Sequence, residues 1–269
     1  RRQRQMCIRD RYYKADSVIH RLDPRVKLMG TLIFIISLFM GMNIWIYAVV
    51  TVALAVVIKM SRIPLKFMVR GLKSIVILII ISAVFNLFLT PGDVLIQIWK
   101  LTITYQGLKM AIFMVVRLIY LIVGTSLMTL TTTPNNLTDG LEKGLGFLKV
   151  IKVPVHEIAM MMSIALRFIP ILIEETDKIM KAQMARGADF ENGSLIKRAK
   201  AMVPILVPLF VSAFRRANEL AMAMEARCYH GSEGRTKMKP LKYEKRDRIA
   251  YISMVLYLGV IIIVKIIAA

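Results

Sequence analysis

Residues 28–58 read LMGTLIFIISLFMGMNIWIYAVVTVALAVVI, an uncharged apolar run interrupted only by Gly41-Met42-Asn43. As a single helix the run would rise about 46 Å, well beyond a hydrocarbon core of about 30 Å. Basic residues flank both ends: Arg21, Arg25 and Lys27 before it, Lys59, Arg62, Lys66, Arg70 and Lys73 after it. Charge on both sides predicts a hairpin of two short membrane helices whose ends both lie in the cytoplasm.

The same reading extends along the chain. A third span is expected over residues 74–89, stopped by Thr90-Pro91-Gly92-Asp93, where Pro and Gly form a turn. The following loop carries only Lys100 and Lys109 as cations, with Trp99 and Tyr105 suited to an interface, which places it outside. A fourth span covers residues 110–130 and a last one residues 249–267, where Lys265 can snorkel. Arg117 lies within the fourth span. It should face the bundle or reach the outer interface, as a structural anchor or a functional group.

Composition agrees. The 269 residues are 57% hydrophobic, yet 38 Lys and Arg stand against 17 Asp and Glu. The mean hydropathy of +0.61 exceeds that of ordinary soluble domains. A basic surplus can serve nucleic acid or hold loops in the cytoplasm. No nucleic-acid motif or interleaved aromatic patch accompanies it, so loop retention is the better reading. Cys7 and Cys228 support neither a disulfide framework nor a metal motif. The basic, polar N-terminus does not resemble a cleavable signal peptide. Residues 1–11 read as a translated sequencing adapter and are expected to be inert.

From Thr131 to Arg248 the character changes, with 20 Lys/Arg and 13 Asp/Glu. A short amphipathic helix is expected from Pro134 to about Lys149, a long one from Pro154 to Arg186, and another from Leu195 to Arg227. Residues 158–173 and 201–214 are apolar, but they contain Arg167 and Pro170, and Pro204 and Pro208. Such runs mark interfacial or buried helices more often than spans. The expected fold is therefore all-α: a polytopic membrane protein of about five transmembrane helices, with seven as the alternative. Its domains are an N-terminal cytoplasmic segment (1–26), transmembrane helices one to four (27–131), a cytoplasmic-side coupling domain of long amphipathic helices (132–248) and a last transmembrane helix (249–269).

No phosphate-binding loop is present, because the glycines at 140, 144 and 146 lack a Lys-Ser/Thr pair. His156-Glu157 begins like a zinc-protease helix, but Met160 stands where the second histidine would be. Glu157 is better read as a favourable charge in a helix's first turn. No metal or cofactor is expected on this chain. The signal lies in a doublet instead. Met184-Ala185-Arg186-Gly187 and Glu225-Ala226-Arg227-Cys228 each end a long helical pattern with Ala, Arg and a small residue. Cations near helix C-termini complement the macrodipole and are common. Two copies with the same neighbours suggest a guanidinium plug for a second protein. Glu174–Lys178 and Asp177–Lys181 pairs at i, i+4 would stiffen the first of these helices. The methionines at 160, 161, 162, 180, 184, 202, 222 and 224 either fill a core or form an adaptable surface.

From Asp16 onward the chain resembles the transmembrane T component (EcfT) of energy-coupling factor vitamin transporters. The resemblance is carried by Ile19-His20-Arg21-Leu22-Asp23-Pro24-Arg25-Val26-Lys27-Leu28, by Pro154-Val155-His156-Glu157, and by Ile164-Ala165-Leu166-Arg167-Phe168-Ile169-Pro170. Lys181 to Phe190, Phe210 to Ala217 and the second Ala226-Arg227 complete it. It implies a non-catalytic subunit of an ABC-type importer in the cell membrane, N-terminus cytoplasmic, partnered by two ATPases and a substrate-binding membrane S component. ATP and Mg would be bound by the ATPases. Ala185, Arg186 and Gly187 would engage one ATPase; Ala226, Arg227 and Cys228 the other. Cys228 stands where the family pattern has glycine, which either costs about 1 kcal/mol in a left-handed backbone or marks a different helix end. The competing reading is a membrane scaffold or insertase-like protein without an ATPase partner. It leaves the doublet unexplained. An enzyme embedded in the membrane would need acids at depth, and the expected spans contain no Asp or Glu.

Overall fold

The computed structural model describes residues 12–13, 15–64, 66–68, 72, 75–98, 101–146, 150, 152–188, 190, 194–231 and 241–267. The expected adapter segment and Cys7 lie outside these residues. The chain divides into two compact units, residues 1–143 with 241–269, and residues 144–240.

The first unit contains α1 (Pro24–Phe39), α2 (Ile44–Ser61), α3 (Val76–Leu89), β1 (Val94–Ile98), β2 (Leu101–Thr104), α4 (Tyr105–Thr131), α5 (Pro134–Gly144) and α8 (Lys245–Ile267). The second contains α6 (Val155–Ala185) and α7 (Leu195–Glu225). The fold is all-α in class and polytopic in character, with one two-stranded antiparallel hairpin, β1–β2, between α3 and α4. Among the described residues, four helices are long and apolar enough to cross a membrane: α2, α4, α6 and α8. The short α1 and α3, of 16 and 14 residues, fall below that length. The appearance of α6 in this group departs from the sequence expectation. Pro170 does not break it, so its apolar part runs continuously into its charged part.

Local chemistry explains the boundaries. Asp23 caps α1, its carboxylate accepting the Arg25 amide at 2.9 Å, and Pro24 supplies the preset φ of a first helical residue. Asn43 caps α2, so the predicted break at residues 41–43 is a helix start. Thr104 caps α4, accepting the Gly107 amide at 3.0 Å.

α4 packs against α1, α2 and α3, and α8 against α1 and α2. The core holds Leu38, Ile46, Tyr47, Val50 and Ile261, with Phe34, Phe113 and Tyr120 around them. Arg117 is buried, as a costly charge should be. Its Nε donates to the Tyr47 hydroxyl at 3.0 Å and its guanidinium lies 5.1 Å from the Phe39 ring centre. Of the two expectations for Arg117, the bundle-facing anchor describes these contacts.

Two long-range ties close this unit. The buried Asp247 carboxylate accepts the Asp23 amide at 2.9 Å and the Glu244 amide at 2.8 Å, joining the start of α8 to the cap of α1. Lys27 Nζ donates to the Thr131 carbonyl at 2.9 Å and the His20 carbonyl at 3.1 Å, satisfying the last turn of α4.

Gly107 marks a close approach of α4 to the backbone of α3. A Cβ there would lie 3.0 Å from the Leu87 carbonyl oxygen and 3.1 Å from that of Asn86, on α3. Backbone cannot swing aside as a side chain can, so Gly107→Val should cost about 1–3 kcal/mol. Gly259→Val, where an added Cβ meets nothing within 4 Å, should cost far less. Thermal unfolding in detergent compares the two variants. Equal melting temperatures would show that α3 and α4 have room to separate.

Candidate functional site

The second unit is an antiparallel helix pair. Glu175 on α6 accepts Ser212 Oγ at 2.6 Å through one carboxylate oxygen and Arg216 Nη2 at 2.7 Å through the other. Nearer the end of α6, Gln183 Nε2 donates to the Pro204 carbonyl at 3.4 Å. Positions on the two helices therefore run in opposite directions. The end of α6 lies beside the first turns of α7, and the end of α7 beside the start of α6. At 1.5 Å per residue from Pro204 to Arg227, the two arginine tips stand roughly 35 Å apart.

Each tip closes in the same way. At the first, the Gly187 amide donates to the Met184 carbonyl and the Ala188 amide to the Gln183 carbonyl, both at 3.0 Å. At the second, the Cys228 amide donates to the Glu225 carbonyl at 2.8 Å and the Tyr229 amide to the Met224 carbonyl at 3.1 Å. These are the paired 5→2 and 6→1 bonds of a Schellman motif, which needs a left-handed residue after the cap. Gly187 has φ +89° and Cys228 φ +54°. The two caps correspond residue for residue in their hydrogen bonds: Arg186 with Arg227, Gly187 with Cys228.

Cys228 thus takes the left-handed position rather than ending the helix differently, and of the two sequence readings the strained one holds. Cys228→Gly should stabilise this turn by about 1 kcal/mol. Slower hydrogen exchange at the Tyr229 amide would report it, and unchanged exchange would place the strain elsewhere.

Ala185, Arg186, Gly187, Ala226, Arg227 and Cys228 are all exposed. A Cβ on Gly187 would meet nothing within 4 Å, so the glycine serves backbone conformation and leaves space in front of the tip. Both arginines belong to caps built entirely from backbone bonds, which leaves their guanidinium groups available. Of the eight methionines on these helices, Met161, Met162, Met184, Met202 and Met222 are exposed and Met160, Met180 and Met224 half-buried, which favours the adaptable surface over the core. The outer face of α7 is also apolar, with Val203, Leu206, Val207, Phe210, Val211 and Phe214 exposed.

Sequence reasoning missed Glu175. It pointed to Glu174 with Lys178, yet among the described residues Glu174 makes no ion pair. The neighbouring carboxylate joins the helices instead. A Ser212-x-x-x-Arg216 spacing, one helical turn facing an acid, is the only trace in the sequence.

A helical unit of membrane type combined with a charged helix hairpin and paired arginine tips fits a subunit of a membrane transporter. The cobalt transport protein family, CbiQ, matches residues 15–238. The chain is 55% identical over 242 residues to the energy-coupling factor transporter transmembrane protein EcfT of Thermosediminibacter oceani, covering 90% of this chain and 91% of the relative. It is 56% identical over 241 residues to EcfT of Clostridium kluyveri, covering 89% of each. With EcfT of Bacillus subtilis it shares 48% over 246 residues, covering 91% of this chain and 93% of the relative. The chain belongs to this family, as a transmembrane component of an energy-coupling factor transporter.

Proposed function

We propose that the chain couples two cytoplasmic ATPases to a substrate-binding membrane S component and so drives vitamin or micronutrient import. The observation that carries this is the pair of identically capped arginine tips at opposite ends of one helix pair. A separation of roughly 35 Å suits two separate partners better than one site. At each tip, Ala185-Arg186-Gly187 or Ala226-Arg227-Cys228, the guanidinium enters an acidic groove on one ATPase. Charge-assisted bonds there are worth about 1.5–3 kcal/mol each.

The helix pair lies on the cytoplasmic side, although α6 is apolar enough to span. α7 runs alongside α6 and carries Lys200, Arg215, Arg216, Glu219 and Glu225, too much charge for lipid. Paired helices share one medium, so neither crosses. The N-terminus is cytoplasmic and the remaining apolar helices lie in the cell membrane. ATP and Mg are handled by the ATPases. Their nucleotide-driven closure moves the two tips, and the bracketed pair carries the displacement to the apolar face of α7, where the S component docks and reorients.

Co-expression with the neighbouring ATPase genes followed by pull-down tests the reading. Both ATPases should be retained by the wild-type chain. Recovery of the chain without either one would favour the scaffold alternative.

A further inference from the structure

A cavity of about 660 Å³ lies beside the second tip, between the first half of α6 and the end of α7. Its lining includes Ile164 and Arg167 from α6, and Leu220, Met224, Arg227 and Cys228 from α7 and its cap. At the first tip, a Cβ added to Gly187 would meet nothing within 4 Å.

The electrostatics of the cavity are one-sided. Arg167 and Arg227 both line it, and among the described residues neither makes an ion pair with an acid. Two guanidinium groups facing one concave space repel each other, and the repulsion grows as water is excluded. An anion between them reverses the sign. Ile164, Leu220 and Met224 form an apolar stretch of the wall beside the polar Ser163 and His230, so a free inorganic anion would leave that stretch uncovered. The volume falls in the 300–1,000 Å³ range of ligand-sized pockets, larger than a lone carboxylate fills.

We infer that this cavity is a socket for a short protein segment, an acidic residue flanked by apolar ones, on the ATPase that docks at the second tip. Arg167 and Arg227 share its carboxylate, and Met224 with Ile164 and Leu220 takes up its apolar neighbours. The first tip is then a plug and the second a combined plug and socket, so the two partners are held by different contacts. The inference rests on the docking reading above and adds a residue, Arg167, that the arginine doublet does not contain.

Cys228 supplies a native probe, because it lines the cavity and is exposed. In a Cys7→Ser background, maleimide labelling of Cys228 is measured for the free chain and for the complex with both ATPases in liposomes. Labelling should be at least tenfold slower in the complex. Arg167→Glu should restore fast labelling and release one ATPase, Arg167→Gln should do so partly, and Arg167→Lys should retain most protection. Arg186→Ala should release the other ATPase and leave Cys228 protected. Equal labelling in the free and assembled chain, or retention of both ATPases by Arg167→Glu, overturns the socket. So does equal protection by phosphatidylglycerol vesicles without ATPases, which would assign the cavity to a lipid headgroup. If the Arg186→Ala/Arg227→Ala chain also keeps both ATPases, the docking reading itself fails. If that chain loses them while Arg167→Glu does not, only the socket fails.

Discussion

Purified with alanine at both Arg186 and Arg227, the chain should emerge without its ATPases and support no ATP-dependent uptake. One or two charge-assisted bonds lost at each tip correspond to roughly tenfold to ten-thousandfold weaker binding. Each single variant should release one ATPase and keep the other, because the tips stand at opposite ends of the helix pair. The second partner then no longer profits from being tethered beside the first. The fold should survive, since both caps are made by backbone amides and carbonyls: Gly187 to Met184, Ala188 to Gln183, Cys228 to Glu225 and Tyr229 to Met224. Pull-down and proteoliposome uptake measure the two losses, and circular dichroism checks helicity. Full recovery of both ATPases with the double variant would remove the basis of the proposed function.

Glu175→Lys should give a different phenotype: ATPases bound, ATP hydrolysed, transport lost. The substitution removes the acceptor of Ser212 and Arg216 and places a second cation beside Arg216. The native pair is partly exposed, with side-chain accessibilities of 37% and 24%, so solvent screens it and on its own it adds little stability. Its importance is geometric. Among the described residues it is the ion pair that joins α6 to α7, and it fixes their register midway between the tips. A helix pair free to slide absorbs tip movement rather than transmitting it. Uptake per ATP hydrolysed should fall at least tenfold, while Glu175→Gln, which keeps an acceptor, should lose much less. The exchanged pair Glu175→Lys with Arg216→Glu should recover part of the coupling. Equal uptake per ATP in the wild type and Glu175→Lys would show that the register is held elsewhere.

Much of this architecture could be read from one-dimensional signals. Gly41-Met42-Asn43 predicts a break, and the structure places the Asn43 cap there. Thr90-Pro91-Gly92 predicts the end of α3, which stops at Leu89. Pro154 and Leu195 predict helices that begin within a residue of those positions. Both tips were legible because a cap is a local motif.

Long-range pairings were not. The meeting of Arg117 with Tyr47, or of Glu175 with Ser212 and Arg216, depends on how helices pack, and a single sequence does not encode that in any fixed spacing. The β1–β2 hairpin was missed for another reason. Its strands are only 5 and 4 residues long, too short for an alternating pattern to stand out between two apolar helices. Cys228 was ambiguous because its residue type argues against a left-handed backbone, whereas the cap geometry demands one. The second tip accepts the strain.

The clasp between Asp23 and Asp247 joins residues 224 positions apart. On the ribosome, the first helix is made long before the acid that locks its cap exists. The early helices must therefore wait in the bilayer as an unsealed assembly, and the final helix acts as a latch engaged only once synthesis is almost finished. Chains that stop short of Asp247 lack the carboxylate that accepts the Asp23 amide, and their first helix keeps an unlatched start.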